Sequence, residues 1–205
     1  MWSIESLILI IPIVIFSLSV HEFFHAWSAW KLGDPTAKRL GRLTLNPLAH
    51  LDPFGILFAA IFGFGWAKPV PINPYYFKSP MIHFAISASA GPLSNFGLAV
   101  LSAIIYKLIY SIFGMTEILH NFFITASFIN LALFFFNFIP IPPLDGSRVF
   151  FALIPRMTIE KAARYELFGF IGILAIVLLD RLGLPIFEIV VVKPARFVMS
   201  ILYGF

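Results

Sequence analysis

In the stretch SLSVHEFFHAW, His21 and His25 stand four residues apart and Glu22 directly follows the first histidine. On a helix, positions i and i+4 share a face, so both imidazoles reach one metal ion while Glu22 lies beside the same opening. This is the HExxH arrangement of zinc-dependent hydrolases, in which the histidines hold the metal and the glutamate takes a proton from the attacking water. The plainer alternative is a pair of histidines hydrogen-bonded between helices. The setting favours the metal, because the pentapeptide HEFFH sits inside an apolar run, where ionisable side chains are costly and mark functional sites.

Two histidines leave a catalytic zinc site incomplete, since such sites usually have three protein ligands and a water. The chain has no cysteine, which excludes thiolate ligands, disulfides and a cysteine nucleophile together. The remaining candidates are Asp34, His50, Asp52, His83, His120, Asp145, Glu166 and Asp180. His120 and Asp180 fall on the expected outer side, and Asp34 in a basic loop. Asp145 is better placed, after a helix ending in Asn137 and a proline-rich break, with Gly146 permitting a tight turn back to the site. An ordinary turn aspartate before glycine is the competing explanation. His50 and His83 remain open as groups behind the ligands or against substrate.

The elements that must carry these residues are membrane helices. Hydrophobic residues make up 60% of the 205, charged residues 12%, and the mean hydropathy is +0.95, outside the range of soluble domains. The run from Leu7 to Trp30 is long enough to span a bilayer. Its length, Glu5 in place of a basic start, and HEFFH where cleavage would fall all argue for a retained helix over a signal peptide. Lys31, Lys38, Arg39 and Arg42 follow it, so the positive-inside rule puts its end in the cytoplasm and the N-terminus outside. His25 is then on the order of 9 Å inside the cytoplasmic boundary, at 1.5 Å of rise per residue.

Three further spans are expected, at about 82–110, 122–139 and 167–182. The second contains SASAGPLSNFG, whose small residues allow close helix approach, whose Pro92 allows a kink, and whose Ser87, Ser89, Ser94 and Asn95 should face a partner or cavity. Between the first two spans, GRLTLNPLAHLDP, an apolar stretch over 54–66 and AKPVPINP read as a re-entrant or interfacial element with β-like limbs. The tail over 184–205 is too broken to place across or along the membrane. The expected fold class is thus an all-α polytopic membrane protein forming one domain, with a core over about 1–155 and C-terminal helices over about 156–205.

The ordered set HEFFH, GRLTLNPLAHLDPFG, GWAKPVPINP, AGPLSN and NFIPIPPLDG resembles the site-2 protease family of intramembrane zinc metalloproteases, in its small prokaryotic form, over nearly all of the chain up to about Pro155. The resemblance implies that His21, His25 and Asp145 bind one Zn²⁺, that Glu22 is catalytic, and that Asn137 and Asn95 lie near the substrate path. It implies a three-helix catalytic core built from the helices carrying HEFFH, AGPLSN and NFIPIPPLDG, and a substrate that is a membrane-spanning segment of another protein. A backbone in that setting is already hydrogen-bonded, so the scissile bond must be unwound first. The region from Leu43 to Pro74 is expected to offer an extended edge to the unwound strand.

The net charge of +4 is explained by membrane topology and points to no nucleic acid. The expected setting is a multi-pass protein of a prokaryotic cell membrane, with a regulatory partner left open. The rival class is a metal or proton transporter using His21, His25 and Asp145 as a transit site, and a third option keeps zinc for structure alone. Few polar residues line the outer half for a transport path, and only hydrolysis gives Glu22 a required proton-transfer role.

Overall fold

The computed structural model describes residues 4–55 and 67–204, and among them every regular element is helical. The apolar part of the expected re-entrant element, 56–66, lies outside the described residues. Among the described residues, six longer helices carry the fold: α1 (Ile4–Lys31), α2 (Pro80–Phe113), α3 (Glu117–Asn137), α4 (Asp145–Leu153), α5 (Ile159–Arg181) and α6 (Lys193–Tyr203). Four of them, α1, α2, α3 and α5, are long and apolar enough to cross a membrane. The chain is a multi-pass membrane protein of the all-α class.

The helices begin earlier than hydropathy alone suggests, because polar caps extend them beyond the apolar span. Thr116 accepts from the Leu119 N–H and Thr158 from the Lys161 N–H, each satisfying one of the unpaired amides of a first turn. So α3 starts at Glu117 instead of near 122, and α5 at Ile159 instead of near 167. At the other end of the first span, Lys31 and Lys38 lie 4.9 and 4.1 Å from the Trp30 ring. Such a cluster of cations and indole suits the membrane–water boundary.

α2 is the hub, packing against α1, α3 and α4. The tail packs along the bundle: Ala195 and Met199 of α6 are buried with Ala99 of α2 and Leu131 of α3. The Tyr203 hydroxyl donates to the Phe123 carbonyl at 3.1 Å. The other face of α6, with Phe197 and Ile201, is exposed.

The limbs on either side of 56–66 contain no β-strand. They form a helical turn at Thr36–Arg39 and 3-10 turns at Pro47–Ala49 and Pro74–Tyr76, joined by irregular backbone. Among the described residues a single backbone bond, Lys68 N–H to the His50 carbonyl at 2.8 Å, links the limbs. Pro69 and Pro71 lack the N–H groups that a ladder requires, which explains why the β-like expectation is not met here.

Candidate active site

α1 presents His21 and His25 one turn apart, and their Nε2 atoms lie 2.9 Å from each other. The Asp145 carboxylate enters from the first turn of α4, its Oδ2 3.3 Å from His21 Nε2 and 3.2 Å from His25 Nε2. All three side chains are buried. Tetrahedral zinc with ligands at 2.0–2.1 Å places its donor atoms about 3.3 Å apart. The three observed separations fit that triangle, so these residues could hold a metal.

The orientation of each histidine is fixed from behind. Nδ1 of His21 donates to Asn95 Oδ1 at 2.6 Å, and Nδ1 of His25 donates to the Ser87 carbonyl at 2.8 Å. Both acceptors are carbonyl oxygens, so the proton belongs on Nδ1 and the Nε2 lone pair is left for a metal. Asn95 is itself held, its Nδ2 donating to Asn130 Oδ1 at 2.9 Å and to the Ser17 carbonyl at 3.3 Å. Asn130 in turn donates to the Ala126 carbonyl at 2.9 Å. A buried amide chain therefore runs from α3 through α2 to the first histidine of α1.

Space for an ion is kept by a missing side chain. A Cβ at Gly91 of α2 would lie 2.3 Å from His25 Nε2 and 2.7 Å from His21 Nε2. It would occupy the spot that a metal bound to both nitrogens needs. Gly146 serves close approach in a different place: a Cβ there would meet the Phe138 carbonyl oxygen at 2.3 Å. It lets α4 start against the end of α3, whereas a tight turn was expected of it; its φ is not positive.

Glu22 is buried beside the cluster, and its Oε2 accepts the Val70 N–H at 2.8 Å. Asp34, fully buried, is no ligand. It accepts from the Thr36 N–H at 2.9 Å, from the Thr36 hydroxyl, and from the Asn73 N–H at 2.7 Å. Two carboxylates thus pin the strap 67–73 along α1. Its non-proline N–H groups belong to Ala67, Lys68, Val70, Ile72 and Asn73, and those of Lys68, Val70 and Asn73 are already engaged.

The other sequence candidates sit elsewhere. His50 donates through Nε2 to the Thr44 carbonyl, 2.8 Å away, inside the limb before 56–66. The His83 ring packs on Phe77, His120 pairs with the Tyr106 hydroxyl at 3.0 Å, and Asp180 accepts the Phe187 N–H at 3.1 Å. Asp52 accepts the Phe54 and Gly55 N–H groups. Glu166 pairs with Arg148 at 3.1 Å. Asn137 is half-buried and donates back to the Leu133 carbonyl at 3.0 Å on its own helix. Asn95, expected near the substrate path, is fully buried behind His21, with its Oδ1 on the imidazole Nδ1. Sequence reasoning overlooked Asn130 and the spatial role of Gly91. An amide in the apolar run FINLALFFF was the available signal for the first.

Residues 109–179 match the model of Peptidase family M50, a stretch that includes Asp145. The chain is 41% identical over 174 residues to YwhC of Bacillus subtilis (strain 168), covering 82% of this chain and 78% of that protein, and named as a candidate zinc metalloprotease. Rip2 of Mycolicibacterium smegmatis, named in the same way, is 30% identical over 202 residues, covering 89% of this chain and 71% of its own. Rip2 of Mycobacterium tuberculosis (strain ATCC 25618 / H37Rv) is 31% identical over 149 residues, covering 70% and 55%. No solved structure matches. A relative this similar over most of both chains, together with a buried His–His–Asp cluster beside a glutamate, settles the family: the chain belongs to peptidase family M50 and is a membrane metalloprotease of the site-2 type.

Proposed function

We propose that the chain hydrolyses peptide bonds within membrane-spanning segments of other proteins, with one zinc ion held by His21, His25 and Asp145 and with Glu22 as the catalytic residue. The observation that carries this reading is the convergence of three buried donor atoms on one point, beside a carboxylate, with two of the donors on a helix long and apolar enough to cross a membrane. Zinc bound there supplies a Lewis acid and a water acidic enough to lose its proton near neutral pH.

The chain's own groups account for the proton transfers. Glu22 Oε2 is tied to the strap by Val70, while Oε1 has no hydrogen-bond partner among the described residues. Oε1 is the oxygen that takes the proton from the attacking water and returns it to the leaving amine nitrogen. The strap lies next to this carboxylate, which supports docking of an unwound substrate segment along it. With three of its amides engaged, the strap would pair mainly through its carbonyl oxygens. A proline scan of the region Leu43–Pro74 that left cleavage unchanged would remove that part of the reading.

The basic residues after α1 support an orientation with the N-terminus outside and the active site toward the cytoplasm. Lys68 and Lys78 carry the same sign on the same side. A membrane-spanning protein substrate and the surrounding lipid are the partners this reading implies, and a regulatory partner would act on their access.

The test is cleavage of a panel of single-span substrates in reconstituted bilayers, by the wild type and Glu22→Gln, with bound zinc quantified in both. Zinc at one per chain in both, with cleavage reduced by roughly 10²–10⁴-fold or more in the variant, is the expected result. Zinc bound but no cleavage by either form, with zinc or protons crossing the bilayer, would replace the protease with the transporter.

A further inference from the structure

The fourth span, α5, carries no motif with chemistry of its own, yet one face of its first half meets the segment that bears Asp145. Ala162, Tyr165, Glu166, Gly169 and Gly172 follow helical spacing along that face. Ala162 is buried, and the Tyr165 ring lies 5.8 Å from Phe151 of α4. A Cβ at Gly169 would stand 2.2 Å from the Pro142 carbonyl oxygen, and one at Gly172 3.2 Å from the Ile141 side chain. Backbone on the proline-rich approach to Asp145 therefore rests directly on α5.

At the centre of this face is an ion-pair chain. Glu166 Oε1 accepts from Arg148 Nε at 3.1 Å, and Arg148 Nη1 lies 3.6 Å from Asp145 Oδ1. The guanidinium is 4.8 Å from the Phe84 ring of α2. The two oxygens of Asp145 are thus divided: Oδ2 faces both histidines and Oδ1 faces the arginine. A carboxylate torsion has a broad, two-fold profile, so without a partner on one oxygen this division is not fixed.

We propose that Arg148 is a positioning residue for the metal centre, holding Oδ1 of Asp145 so that Oδ2 alone is presented to the metal, and that Glu166 on α5 holds Arg148 in turn. This rests on the reading of Asp145 as the third zinc ligand. It makes the fourth span a brace of the active site. The planar fork of arginine suits the role, because Nε and Nη1 reach two different carboxylates at once, which one ammonium does not reproduce.

The experiment is zinc affinity of the full-length protein, by competition with a fluorescent chelator, with folding monitored by helical circular dichroism. Arg148→Gln is expected to weaken zinc about 10–100-fold, the usual cost of losing a group that orients a ligand. Glu166→Gln should weaken it less, and the double variant should be no worse than Arg148→Gln alone, since Glu166 acts through Arg148. Arg148→Lys should recover part of the loss. Arg164→Gln, an exposed cation on the same helix, should change nothing. Wild-type affinity in Arg148→Gln, or losses from the two single variants that multiply in the double, would overturn the inference. Asp145→Asn separates this from the reading beneath it: zinc unaffected by that substitution would refute the ligand assignment, whereas zinc lost there but kept in Arg148→Gln would refute only the brace.

Discussion

Two pairs of histidines in this molecule share a residue type and differ in what surrounds them. In the seam where α1, α2 and α4 meet, His21 and His25 each have Nδ1 bonded to a carbonyl oxygen and Nε2 aimed at a common point. On the strap side, His50 uses Nε2 for the Thr44 carbonyl, and buried Nδ1 atoms of His50 and His83 have no hydrogen-bond partner among the described residues. The seam supplies an acceptor behind each ring, which selects the tautomer and frees the other nitrogen. The strap side supplies no such pair of acceptors and no converging carboxylate. A histidine is made into a ligand by the group behind it as much as by its position in a motif.

The sharpest way to break the contrast is to fill the seam while leaving every polar group in place. Gly91→Ala puts a methyl group 2.3 Å from His25 Nε2, and the rings, anchored through Nδ1, must give up those anchors to move away. Alanine is the better helix former by about 1 kcal/mol, so α2 should remain folded. Zinc affinity should fall by more than the roughly 100-fold upper range for a lost outer partner. Metal analysis and thermal unfolding of the same preparation check both halves. Zinc bound at full affinity in this variant would show that the ion does not sit between these nitrogens.

A smaller effect comes from removing the support behind one ring. Asn95→Ala leaves His21 Nδ1 and Asn130 Oδ1 without their shared partner. It should weaken zinc about 10–100-fold while the ligands themselves remain. Asn95→Asp keeps an acceptor for Nδ1 and should recover much of that loss. Equal losses in the two variants, read by chelator competition, would mean that Asn95 contributes packing and not orientation.

These residues also show which parts of the structure the chain declares openly. HEFFH and the four spans are local patterns, set by helical spacing and by runs of apolar residues, and so they are legible without any partner. Asp145 was one of eight candidates, because its value depends on α4 returning to α1, a contact between residues 120 positions apart. Gly91 and Asn130 are harder still. A missing Cβ has meaning only once the neighbouring helix is in place, and a buried amide has meaning only once its partner is known. Helix ends were misjudged for another reason: hydropathy locates the membrane, while Thr116 and Thr158 locate the first turn of α3 and α5.

The gentlest test lies on the strap side, where the contrast predicts almost no effect on metal. His50→Leu removes the bond to the Thr44 carbonyl and, with it, the partner of a group in a buried corner. Losing one hydrogen bond of this kind should cost about 1–2 kcal/mol of stability, read as a lower unfolding midpoint in a fixed detergent. The same substitution also removes the buried, unpartnered Nδ1, which offsets part of that cost. Zinc affinity should match the wild type, since the hydrogen bonds of His50 among the described residues are to Thr44, Pro47 and Lys68. If zinc were instead weakened to the degree expected of Asn95→Ala, the strap would have to transmit position to the metal centre. Its two carboxylate links, Glu22 of α1 with Val70 and Asp34 just after α1 with Asn73, would then be the path to examine by double-mutant cycles.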